Sequence, residues 1–206
     1  MSKKKKRVKK AIIFIVIALI IICAILYFLL FNKNGNGFLT KSVDKTEKFD
    51  YTLDRNNTNL MKENFNELKS ILSSDQIDYD KYAEILSKLF IIDLYTIDNK
   101  ENMYDVGSLE YVYDKENFKN RVQSTMYKYL KDKSVRKNNE YPVVESISIA
   151  GKEKSTFTYD NVKYDSDVIT LNWTYKKDLG YDDKGKVEII KIDDKLYVVS
   201  FTPEVK

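Results

Sequence analysis

The residue best placed to do chemistry is an acid inside an apolar run. Asp93 sits in Leu89-Phe90-Ile91-Ile92-Asp93-Leu94-Tyr95, at helical spacing from Leu86 and Leu89, so it is expected to turn toward the apolar face rather than to solvent. A carboxylate taken out of water is harder to ionise and can serve as a general base. The competing role is structural, with Asp93 accepting bonds from a tyrosine hydroxyl, a helix end, or Arg121 on the flank of a later helix. No second acid–base partner can be named beside it, which favours the structural role. The sequence has no histidine and one cysteine. That removes Ser-His-Asp and Cys-His pairs, imidazole and thiolate metal ligation, and an intramolecular disulfide.

The remaining constellations are weaker. Asp182-Asp183-Lys184-Gly185 and Asp193-Asp194-Lys195 lack the alternating acids of a calcium loop, and Asp165-x-Asp167 is too short alone. They read as solvated turn acids, so no metal is expected. There is no Gly-rich phosphate loop, nucleophile elbow or kinase motif set, and no cofactor is expected. Of the 16 tyrosines, Tyr104, Tyr111, Tyr113, Tyr159, Tyr164, Tyr175 and Tyr181 gather near predicted strands and loops, where rigid amphipathic rings suit recognition. Tyr127 falls opposite Phe118 and Val122 on a predicted helix whose inner face runs on through Thr125, Met126 and Tyr129. It is expected to face outward as the best single partner contact. Trp173 belongs to the alternation Ile169, Leu171, Trp173, Tyr175, and with Asp93 and Arg121 it is a candidate for a pocket or a buried polar cluster.

Charge and hydropathy set the expected topology. The first ten residues hold seven of the 35 basic side chains and none of the 31 acidic ones, so the rest carries 28 against 31, a net of −3. The overall +4 is local, and no nucleic-acid surface is expected. Residues 11–31 carry no charge; as a helix they span about 31 Å, the thickness of a bilayer core. No small-x-small cleavage site follows, so an uncleaved anchor in the lipid bilayer is predicted. The basic run before it places the N-terminus in the cytoplasm and everything after residue 31 outside, in a Gram-positive-type cell membrane. Cys23 lies within the span as a small hydrophobe.

These features require elements to position them. Residues 32–57 read as a tether and stalk, and residues 58–206 as one extracytoplasmic domain. Met61, Phe65, Leu68 and Leu72 predict a helix from Thr58; a second opens near Asp80 and ends between Ile92 and Tyr95; Asp114 caps a third. Ser108–Tyr113 reads as a strand. After Pro142 the period becomes two, giving strands over Val143–Ala150, Thr156–Tyr164, Val168–Lys176, Lys186–Ile192 and Leu196–Thr202, with turns at Gly151, 165–167, 182–185 and 193–195. The expected fold is α+β, in the order α-α-β-α-β-β-β-β-β, with helices packed on one curved antiparallel sheet.

That element order over residues 58–202 resembles the nuclear-transport-factor-two-like (cystatin-like) superfamily. With its single cytoplasm-in span, the chain is also similar to the bitopic scaffold proteins of type IV secretion and conjugation machines. The resemblance implies a non-catalytic assembly hub that binds other envelope proteins or a second copy of itself, and carries over no site residue. The alternative is a small-ligand or enzymatic pocket between helices and sheet, using Asp93 and a tyrosine.

Overall fold

The computed structural model of the chain describes residues 42–136 and 139–204. The expected cytoplasmic tail, the apolar span and residues 32–41 lie outside the described residues. Among the described ones, no helix is long and apolar enough to cross a membrane.

The described chain is α+β. A small hairpin of β1 (Ser42–Lys45) and β2 (Thr52–Asp54) precedes helices α1 (Asn59–Leu72), α2 (Tyr79–Tyr95) and α3 (Lys115–Ser124). A four-stranded antiparallel sheet follows, ordered β3-β4-β5-β6: β3 (Val144–Tyr159), β4 (Val162–Tyr175), β5 (Lys184–Ile192) and β6 (Lys195–Pro203). The Thr58 hydroxyl caps α1 by accepting from the Met61 N–H at 3.2 Å, and Met61, Phe65, Leu68 and Leu72 are buried as their spacing predicts. Asp114 caps α3, accepting from the Asn117 N–H at 3.2 Å. The cap of α2 is Asp78 rather than the expected Asp80. Asp80 instead faces the sheet, where Lys152 reaches it at 2.8 Å.

Helix α2 runs through the middle of the domain, packed on α1 and on the sheet. Eleven of its seventeen residues are buried, which explains a sequence apolar nearly all round. The sheet supplies the opposing surface with Ile169, Leu171 and Trp173 of β4, Val187 and Ile189 of β5, and Leu196 and Val198 of β6. The period-two pattern of β4 is therefore borne out.

Three boundaries differ from expectation. The five predicted strands are four, because Gly151 and 165–167 lie inside strands. Gly151 pairs with Thr170 beyond a register shift, and the Ser166 hydroxyl is buried on Glu188 at 2.8 Å. The turn between β3 and β4 is Asp160-Asn161, with φ of 47° and 63°, and Asp193-Asp194 repeats it with 47° and 65°. Short polar side chains tolerate this left-handed pair, which matches the twist of a two-residue hairpin. Ser108–Tyr113 is mostly turn, with one parallel bridge from Val112 to Val198. Residues 42–57 are not stalk. Tyr51 is fully buried and Leu53 nearly so, and Lys69 of α1 holds Asp44 of β1 at 2.7 Å.

Candidate functional site

Two places in the domain carry chemistry-bearing groups, and they are built differently. The first is a polar cluster at the C-terminal end of α2. Asp93 Oδ1 accepts from Lys100 Nζ at 2.5 Å, and Oδ2 accepts a very short bond from the Ser108 N–H. The Lys100 side chain is 8% exposed and that of Asp93 17%. Ser108 adopts φ of 68° and turns its hydroxyl onto the Phe90 carbonyl at 2.7 Å. A Cβ on Gly107 would lie 2.4 Å from the Asp93 carbonyl oxygen and 2.9 Å from Lys100 Nζ. Only a glycine lets the 107–108 backbone approach the carboxylate this closely.

Around this pair lie buried ring hydroxyls and a second acid. Tyr127 donates to the Leu94 carbonyl at 2.8 Å. Burial, and then the Asp93 charge, raise the Tyr127 hydroxyl well above its ordinary value. The fully buried Tyr111 is raised by burial and then by Glu110. Glu110 Oε2 accepts from both the N–H and the hydroxyl of Thr52, at 3.0 and 3.1 Å. Burial pushes this carboxyl up to about 7, with the Thr52 donors opposing and the Asp93 charge adding to the rise.

The second place is a surface groove of ≈ 230 Å³ between α3 and the sheet. Phe90, Val112, Phe118, Phe157 and Phe201 supply apolar walls, and Tyr113, Tyr159, Asn117 and Arg121 also line it. Phe157 and Tyr159 belong to β3 and Phe201 to β6, the two opposite edges of the sheet. The sheet therefore curls until its edges approach across one opening. Tyr113 holds the closure, with ring centroids 5.2 Å from Tyr159 and 5.5 Å from Tyr197. The Arg121 guanidinium lies 5.9 Å from the Phe118 ring centroid and makes no ion pair among the described residues. Asp114, the acid in the lining, is committed to capping α3 through Asn117.

The residues singled out in the sequence separate. Asp93 is in the polar cluster, where its cationic partner is Lys100 and not Arg121. Arg121 is on the groove. Trp173 is 2% exposed in the core, 5.1 Å from the Tyr95 ring centroid, with its indole N–H on the Tyr175 hydroxyl at 2.8 Å. Tyr127, expected to face a partner, is fully buried, while Tyr129, expected inside, is 80% exposed. The cause is the end of α3 at Ser124. Thr125 leaves helical geometry with φ of −119° and ψ of −92°, and its hydroxyl bonds the Arg121 carbonyl at 2.6 Å. Helical spacing therefore does not extend to residue 127.

Sequence reading missed Lys100, Glu110 and Arg136. Arg136 is buried and satisfied by three carbonyl oxygens, those of Lys131, Asp98 and Lys100. Only the apolar neighbours of Glu110, Leu109 and Tyr111-Val112, hinted at burial; Lys100 lies in the polar run Asp98–Asn102 and gave no such signal. Among the described residues no group of three or more acids, histidines or cysteines is gathered as for a metal ion. Compared with family models, curated proteins and solved structures, the chain matches none.

Proposed function

We propose that this protein is a non-catalytic scaffold, anchored by residues 11–31, whose outer domain docks other envelope proteins. The observation that carries this reading is the division between the two places just described. Asp93, the one acid the sequence offered as a base, has both oxygens engaged by Lys100 and Ser108 and does not line the groove. The groove itself is walled by aromatic rings and open to the surface, the surface chemistry that protein recognition favours. At ≈ 230 Å³ it falls below the roughly 300–1,000 Å³ of small-molecule sites. That weighs against the ligand-pocket reading and for a seat that accepts side chains.

The anchor, the cytoplasmic N-terminus and the outward domain rest on the basic run and the uncharged 21 residues after it. The proposed resemblance to nuclear-transport-factor-two-like scaffolds of conjugation machines rests on the element order read from the sequence over residues 58–202 and on the single expected span. A photo-crosslinking amino acid at Tyr113, which is 38% exposed, tests the docking role in intact cells. Discrete protein adducts are expected from the full chain, and their absence at both Tyr113 and Asn117 would remove the proposal. Protease added to protoplasts should digest the domain while sparing the N-terminus.

A further inference from the structure

The edge of β6 is half covered. At Val198, the Tyr111–Tyr113 segment lies alongside, with the Val198 N–H on the Tyr111 carbonyl at 2.8 Å and the Tyr113 N–H on the Val198 carbonyl at 3.1 Å. The chain then turns away at Asp114 into α3. Among the described residues no strand pairs with that side of β6 beyond Val198. There Val199, Ser200 and Phe201 form one bank of the groove, and α3 forms the other. An open strand edge beside an apolar trench is the geometry that extended peptides use to add to a sheet.

The charges indicate what such a peptide carries. Arg121 is exposed on the opposite bank and makes no ion pair among the described residues. Asp114 spends its oxygens on the Asn117 N–H and side-chain amide. The groove thus offers a planar cation with five donors, which matches a carboxylate by charge and by fork geometry. The lining acid Asp114 has each oxygen held by Asn117 and makes no ion pair with Arg121 among the described residues. The apolar space is too small for a drug-sized ligand and suits one or two side chains.

We infer that this groove takes an extended segment of another protein, laid along β6 beyond Val198, with an apolar side chain in the trench and a nearby carboxylate on Arg121. This rests on the docking reading above and names the kind of partner. The strand edge supplies affinity without regard to sequence, and the trench and Arg121 supply selectivity.

Random octapeptides displayed on phage and selected against the purified full chain test it. Enriched peptides should share an apolar or aromatic residue with Asp or Glu within the next three positions. Synthetic copies of them should bind at least tenfold more weakly to Arg121→Glu and to Asn117→Trp, which fills the trench, while both variants melt like the parent. Arg121→Glu should also shift selection toward Lys or Arg at the acidic position. Enriched peptides without an acid, binding indifferent to both variants, or no enrichment would each overturn the inference. Selection that ignores Arg121 while cellular adducts persist would leave the docking role of the groove standing and remove the acid-bearing extended segment as its partner. Loss of the adducts would remove the scaffold role itself.

Discussion

The Asp93 cluster and the Arg121 groove use charge in opposite ways. In the cluster, a cation and an acid are both withdrawn from water and each meets a partner within hydrogen-bonding distance. In the groove, a cation stands at the surface beside aromatic walls and meets none. Taking charges out of water costs several kcal/mol per ion unless pairing and hydrogen bonds compensate. The cluster must therefore stay fully assembled, whereas the rim of the groove can change at little cost to the fold. On the proposed docking role, stability and recognition are carried by different charges.

The largest expected effect comes from breaking the cluster on one side. Lys100→Met leaves Asp93 buried with only the Ser108 N–H, and should cost about 3–5 kcal/mol in urea unfolding. Replacing both, as Asp93→Leu with Lys100→Met, should recover part of that loss, because no unpaired charge remains and only the Ser108 N–H is left without its acceptor. A double variant as unstable as the single one would show that Asp93 does more than balance Lys100.

Asp93→Asn is a milder test. It keeps the shape but turns one acceptor into a donor, so either Lys100 or the Ser108 N–H loses its partner. A loss of about 1–3 kcal/mol is expected, with cellular adducts from the groove retained. Loss of those adducts in a folded, abundant variant would move Asp93 from structure to function.

Glu110 gives the comparison a pH axis. Its carboxyl is raised from the usual 4.5 to about 7 by burial, so between those values the folded chain holds a proton that the unfolded chain has released. Stability should therefore fall as pH rises through this window and level off above it, by about 1–3 kcal/mol. Glu110→Gln keeps an acceptor for Thr52 and should flatten that dependence, being the more stable form near pH 8 by a similar amount. Parallel pH curves for variant and parent would remove this account. The smallest expected effect is Arg121→Ala, within about 0.5 kcal/mol of the parent in stability. A large loss there would erase the contrast between the two regions.

Much of the cluster's scaffold was legible, because Asp93 interrupts an apolar face at helical spacing and an acid there must find a partner. The identity of the partner was not. Lys100 follows the helix by five residues, and only the turn through Gly107 and the left-handed Ser108 brings its neighbours onto the carboxylate. The groove was not legible at all. It needs Phe157 and Phe201, more than forty positions apart in sequence and on opposite edges of the sheet, to face one opening.

By itself the sequence determined the three helices with the Asp114 cap, the buried face of β4 and the Asp193-Asp194 turn, since these follow from local periodicity and side-chain hydrogen bonding. Tertiary structure decided the rest. Whether Asp160-Asn161 or Gly151 made the turn depended on cross-strand register, since both accept hairpin or bulge backbone. The inward turn of Tyr127 followed from the break at Thr125, where the chain leaves α3 so that a buried hydroxyl can reach the Leu94 carbonyl. The place of residues 42–57 was settled by Tyr51 and Leu53, whose burial requires surfaces that only the assembled helices and β6 provide.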